Sequence, residues 1–125
     1  MTGVNAVVIG VKDMAVAKKF YEGLGFEVDQ EHPGFIGFKS SEGAVTLGLY
    51  PREGLEMMVG LESVSGWSGV VLNLNPSARS RVDELFEAAT SAGGKVVNAP
   101  NDAKWGGRVA HFSDPDGYVW QVAAY

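Results

Sequence analysis

The sequence has no cysteine and only 2 histidines. It therefore has no disulfide framework, no thiolate nucleophile and no thiolate metal ligand. Any imidazole chemistry rests on His32 or His111. A chain without cysteine suits a reducing compartment, and the cytoplasm is its expected location. Positive charge is also scarce: 10 Lys and Arg stand against 15 Asp and Glu, a net charge of −5. Nucleic-acid affinity depends on clustered cations facing phosphates, and no basic run exists, so no nucleic-acid partner is expected. Long hydrophobic runs are missing too. The apolar residues 4–11 have neither a cationic leader nor a cleavage site, and Lys12-Asp13 stop them well short of the ~20 residues of a membrane span. No membrane partner is expected.

What is present is an ordinary globular composition: 125 residues, 46% hydrophobic and 20% charged, with 17 glycines spread along the chain at turns. One domain over residues 1–125 is expected. "VNAVVIGV" is dense in β-branched residues and reads as a strand, and Asp13 is placed to cap the helix that follows. In that helix Met14, Ala17, Phe20, Tyr21 and Leu24 recur at spacings of three and four, with Gly23 or Gly25 as the stop. Strands are expected over residues 26–29, 35–39 and 45–50, the last two separated by the turn sequence "SSEG".

The second half repeats the plan. "GVVLNLN" reads as a strand, and Val82, Leu85, Phe86 and Ala89 form the apolar stripe of a helix stopped by Gly93-Gly94. Two starts for this helix fit: Asn75 before Pro76, or Ser80 with Asp83 three residues on. "KVV", "RVAHFS" and "YVWQVAAY" read as strands, the last two joined by Asp114-Pro115-Asp116-Gly117. The halves superpose by residue when "AVVIGV" is set on "GVVLNL" and Gly43 on Gly117. Module one then covers about residues 1–50, a connection residues 51–67, and module two residues 68–125.

A duplicated β-α-β-β-β unit whose second copy ends "WGGRVAHFSDPDGYVWQVA" resembles the vicinal oxygen chelate superfamily. That superfamily includes glyoxalase I, bleomycin-resistance proteins, fosfomycin-resistance enzymes and extradiol dioxygenases. The resemblance spans the whole chain and is carried by Asp13 with "FYEGLGF" in module one and by "WGG" with "DPDGYVW" in module two. It implies an α+β fold: two tandem β-α-β-β-β modules forming half-barrel sheets around a cavity, helices outside, usually in a dimer. Because such folds host many chemistries, function has to be read from the site.

In the metal-dependent members the ligands lie near the start of the first strand and on the last strand of each module. The last-strand ligand stands seven residues after the first Asp of the DPDG-like turn and is commonly Glu. Carried over, the positions are Ala6, Leu47, Gly69 and Gln121. A catalytic divalent metal normally needs about three protein ligands, and three of these four positions are apolar or lack a side chain. His111 shares the strand face of Gln121 by the period of two, but two neutral ligands without a carboxylate make a poor metal site. No metal and no cofactor are expected.

The same alternation puts Ala6, Val8, Val45, Leu47, Leu49, Gly69, Val71 and Asn73 on the inner face and Trp120 against the helices. The expected pocket is apolar, with Asn73, His111 and Gln121 as its hydrogen-bonding groups, or as groups that satisfy one another in a filled core. Trp67 and Trp105 are placed to close over a flat ligand, and Phe35 and Leu47 are further candidate contacts. Arg108 reads as a solvated strand end, and His32 as a solvated turn residue without a role. Met57-Met58 suit either an adaptable surface or a tethered connection. Two classes of function fit. One is a homodimer that binds or sequesters a small aromatic or amphipathic molecule without a metal. The other is a lyase or dioxygenase, either metal-free with His111 as catalytic acid or base, since imidazole ordinarily titrates near pH ~6.5, or metal-dependent through atypical ligands.

Overall fold

β-branched density makes the first segment a strand, and in the computed structural model, which describes residues 1–64 and 66–125, it is β1 (Ala6–Val11). α1 (Met14–Leu24) follows. Asp13 Oδ1 accepts from the backbone N–H groups of Ala15 at 3.0 Å and Val16 at 3.1 Å, pairing donors that a helix start leaves open. The stop is Gly25 and not Gly23: its φ of 112° is left-handed, where glycine carries no steric penalty. The next strands are β2 (Val28–His32), β3 (Phe35–Phe38) and β4 (Thr46–Pro51). The expected strand over 26–29 thus begins later. Phe26 is held in the helix stop, its N–H donating to the Tyr21 carbonyl at 2.9 Å and its ring 5.7 Å from that of Tyr21. His32 is the last residue of β2, paired with Phe35 across the Pro33-Gly34 turn, and is not a loop residue.

The first sheet has the order β1-β4-β3-β2, with β1 parallel to β4 and the other neighbours antiparallel. Its buried face carries Ile9, Val11, Ile36, Phe38 and Leu49, and α1 covers it with Phe20, Tyr21 and Leu24. The ring of Tyr21 lies 5.8 Å from that of Phe38. The stretch expected as a connection is partly a helix, α2 (Arg52–Val59), packed on β1. Gly10 permits this: a Cβ there would stand 3.2 Å from Leu55 Cδ2 and 3.3 Å from the Arg52 Cα. Met57 and Met58 on α2 are exposed. Ser65, in the same stretch, lies outside the described residues.

The second sheet repeats the topology with β5 (Val71–Leu74), β6 (Lys95–Asp102), β7 (Arg108–Ser113) and β8 (Val119–Ala124), in the order β5-β8-β7-β6. Here β5 is parallel to β8. α3 (Arg79–Ser91) covers one face, burying Val82, Phe86 and Ala89. On that face Phe112 stacks on Trp120 at 6.4 Å, so Trp120 is buried as its alternation requires. Neither expected start of α3 is used. Ala78 precedes the helix without a side-chain cap, and Asn75 spends its amide N–H on the Ala123 carbonyl of β8 at 3.4 Å. By compactness the chain divides into two units, Met1–Ser65 and Gly66–Tyr125. None of the described helices is long and apolar enough to cross a membrane.

Arg108 is not a solvated strand end. Its Nε and Nη2 donate to the two carboxylate oxygens of Asp83 on α3, each at 2.9 Å, and Nη1 reaches Asp102 at 3.3 Å. Arg79 also donates to Asp102, at 2.7 Å. This fork pins α3 to the start of β7. The Arg108 hydrogen bonds hold the Asp83 carboxyl below the usual carboxylate range. A depressed folded value means that the stabilisation is fully present above the unfolded value of ~3.9 and is lost as pH falls through the folded value. Wild type should therefore lose stability more steeply than Asp83→Asn below pH ~4, in urea midpoints measured at low salt, and the difference should shrink in high salt. Parallel profiles would remove the pair from the acid limb.

Candidate functional site

The strand period of two places every second side chain of β8 on the face that α3 leaves open. Gln121 is one of these. The strand register sets it beside Asn73 of β5 on one side and His111 of β7 on the other, and sets His111 beside Asn98 of β6. The four side chains form a continuous row across the sheet. Asn98 Nδ2 lies 3.2 Å from His111 Nδ1, His111 Nε2 lies 2.9 Å from Gln121 Oε1, and Gln121 Nε2 donates to Asn73 Oδ1 at 2.9 Å. Because Gln121 donates with its nitrogen, its oxygen must accept from His111. The proton is then on Nε2, and Nδ1 accepts from Asn98. Both ring nitrogens of His111 are engaged. His111 and Gln121 are half-buried, and Asn73 and Asn98 are exposed.

The three polar residues named from sequence, Asn73, His111 and Gln121, are thus brought together, and Asn98 joins them. Asn98 lies beyond "KVV", the part of the strand its composition signals, in "NAPND", which has the composition of a turn. β6 runs on to Asp102 with register shifts at Val96/Asn98 and Asn98/Asn101, and as an edge strand it tolerates Pro100. The turn between β7 and β8 is structural. Asp114 is buried, and its Oδ1 accepts from the backbone N–H groups of Asp116 at 2.9 Å and Tyr118 at 2.8 Å.

Leu47 is a correction. It pairs with Val7, next to the Ile9–Leu49 pair, and is 7% exposed on the face that α1 covers. The open face of β4 carries Thr46, Gly48 and Tyr50, not Val45, Leu47 and Leu49. The cause is one residue. β8 begins two positions after Gly117, whereas β4 begins three after Gly43, and a slip of one flips every side chain to the other face. The counterpart of Gln121 is therefore Gly48, in the row Val8–Gly48–Gly37–Gln30. Phe35 fills this row. A Cβ on Gly48 would stand 2.8 Å from Phe35 Cε1, one on Gly37 3.0 Å from the same ring, and Tyr50 lies 5.2 Å from it.

In module two the Trp105 ring lies on Gly107, where an added Cβ would overlap it, and meets Tyr125 edge-on at 5.2 Å. Trp105 is 52% exposed. Trp67 donates its indole N–H to the Val70 carbonyl at 3.0 Å and is also exposed. Both rings present free surface.

The positions that the resemblance implies for metal ligands do not fit a metal. Ala6 and Gly48, the register counterpart of Gln121, share the open face of the first sheet but carry no donor side chain, and Leu47 is apolar and points to the buried face. Gly69 precedes β5 at a left-handed φ of 86° and has no side chain to donate. Among these positions only Gln121 offers a donor atom, and one neutral amide oxygen falls short of the about three protein ligands a catalytic divalent metal normally needs. Among the described residues no three His, Cys, Asp or Glu side chains gather into a metal-binding group.

Two β-α-β-β-β modules, each with a parallel first and last strand and a helix between its first two strands, define a paired-module α+β class. The family model of the Glyoxalase/Bleomycin resistance protein/Dioxygenase superfamily matches residues 3–122, and the chain belongs to that superfamily. It is similar in structure to a glyoxalase-related enzyme from Fulvimarina pelagi, with a TM-score of 0.91 and 25% identity over 100% of this chain and 89% of that one. A glyoxalase/bleomycin resistance protein/dioxygenase family enzyme from Burkholderia phytofirmans PsJN gives 0.84 and 25%, over 96% of each chain. A lactoylglutathione lyase from Agrobacterium tumefaciens gives 0.74 at 16% identity, over 99% of this chain and 94% of that one, a likeness of fold alone. No curated protein sequence matches the chain.

The seat of Trp105 is testable. Gly107→Ala should displace the ring, shift tryptophan emission to longer wavelength and cost ~1–3 kcal/mol of stability through overpacking. An unchanged emission spectrum would show that Trp105 does not depend on this glycine.

Proposed function

We propose that this chain binds or sequesters a small, flat, aromatic or amphipathic molecule without a metal, as a homodimer in the cytoplasm. The observation that carries the reading is the neutral row Asn98–His111–Gln121–Asn73. It stands where metal-dependent relatives carry a last-strand carboxylate, and it is built of amides and an imidazole that satisfy one another. Such groups orient a ligand by hydrogen bonding, and without a carboxylate they make a poor site for a divalent cation. Trp105 and Trp67 supply exposed aromatic surface in the unit that carries the row. Membership of a superfamily that includes bleomycin-resistance proteins is consistent with binding as the activity.

The same row argues against His111 as a free acid or base. A proton acceptor must be within reach of the substrate, and both ring nitrogens are turned along the sheet toward amide partners. In this reading His111 is a positioning residue.

Two measurements test the proposal. Elemental analysis of protein purified without chelators is expected to find no stoichiometric divalent metal, and one equivalent that survives dialysis and is lost in Gln121→Ala would overturn the metal-free reading. Tryptophan quenching across a panel of neutral aromatic compounds should give saturable binding. His111→Ala should weaken it and lower stability by about 1 kcal/mol, the order expected when two hydrogen-bonding partners lose their shared group. A panel without any saturable response counts against binding as the function.

A further inference from the structure

The row is directional, and that direction leaves one edge unspent. A primary amide has two N–H donors and two oxygen lone pairs. In Gln121 one lone pair accepts sideways from His111, and one N–H donates sideways to Asn73, both at 2.9 Å. The carboxamide is therefore held with its oxygen toward β7 and its nitrogen toward β5. The remaining lone pair and the remaining N–H, which is cis to the oxygen, then lie side by side on the edge facing away from the sheet. No other protein group bonds to this amide among the described residues. His111 has nothing left to offer, because both of its nitrogens are used.

We infer that Gln121 recognises a neutral cis-amide edge, such as that of a lactam, imide or ureide, by two parallel hydrogen bonds. The inference rests on the small-molecule binding reading above and names its ligand class. The ligand's N–H donates to Gln121 Oε1, and its carbonyl accepts from Gln121 Nε2. The fit has three physical grounds. The presented edge is one donor beside one acceptor, which is self-complementary to an amide in the cis arrangement and to few other neutral groups. The row carries no carboxylate or cationic side chain, so it does not select an ion. Both lateral bonds are made before a ligand arrives, so the amide is already oriented and little rotamer entropy is lost on binding. Asn98 and Asn73, at the ends of the row, act as positioning residues.

The test uses three neutral bicyclic probes of similar size: isoindolinone, which has the cis-amide edge, N-methylisoindolinone, which lacks its N–H, and indane, which has neither polar group. Affinities are measured by equilibrium dialysis on the full chain. Isoindolinone is expected to bind about tenfold or more tighter than either of the others, the discrimination of roughly one to two paired hydrogen bonds. Gln121→Leu removes the edge, and Gln121→Glu keeps an acceptor for His111 while removing the N–H. Gln121→Leu should bring the ratio close to one, Gln121→Glu, which keeps the oxygen but sets a carboxylate against the ligand carbonyl, should weaken isoindolinone binding about tenfold, and circular dichroism with thermal melting checks that each is folded. Equal binding of isoindolinone and N-methylisoindolinone, or a preference unchanged in both variants, overturns the inference. Indane binding as tightly as isoindolinone overturns it too but leaves the binding reading standing. No saturable binding of any probe overturns both.

Discussion

The parallel pairing of each module's first strand with its last is the constraint on which the rest depends. A helix carries the chain from the first strand across one sheet face to the far edge, and two antiparallel returns bring it back, so β4 lies beside β1 and β8 beside β5. The face under the helix becomes the buried side, and alternation along each strand decides which residues belong to it. The same pairing brings Asn73 and Gln121 into hydrogen-bond contact although they are 48 residues apart. Without β5 beside β8 there would be no row, since Gln121 would lose the acceptor that turns its nitrogen sideways.

The two modules share a plan and use it differently. In module two the cross-strand row on the open face is polar and closed on itself. In module one the matching positions Gly48 and Gly37 carry no side chain, and the ring of Phe35 occupies the space above them. Gly107 likewise makes room for Trp105 in module two. Glycine serves here by absence: each site lets an aromatic ring lie against the backbone, where even one methyl group would push it away. Duplication preserved the strand order, and substitution on one face gave each module its own surface chemistry.

Much of this is legible in the sequence. The stripe of Ala17, Phe20, Tyr21 and Leu24, the cap at Asp13 and the DPDG turn are local features, and local spacing predicts them. The convergence of Asn73, His111 and Gln121 followed from strand alternation once the module plan was recognised. Other features were not local. α2 lies where the sequence resembles a linker, because its stability comes from packing on β1 at Gly10. Arg108 looked solvated because Asp83, its partner, is 25 residues away on another element. Leu47 was assigned to the wrong face through a single extra residue in the turn before β4.

From the sequence by itself came the duplicated β-α-β-β-β plan, the helix-covered faces, the exclusion of thiolate chemistry and the identity of most polar residues on the open face of module two. These rest on composition and on periods of two and 3.6, which are properties of the chain near each residue. Only the tertiary structure decided the register: which residue stands beside Gln121, which nitrogen of His111 carries the proton, and where Asn98 and Phe35 sit. Register is set by turn length and by long-range strand pairing, and a shift of one residue, invisible to periodicity, exchanges the two faces of a sheet.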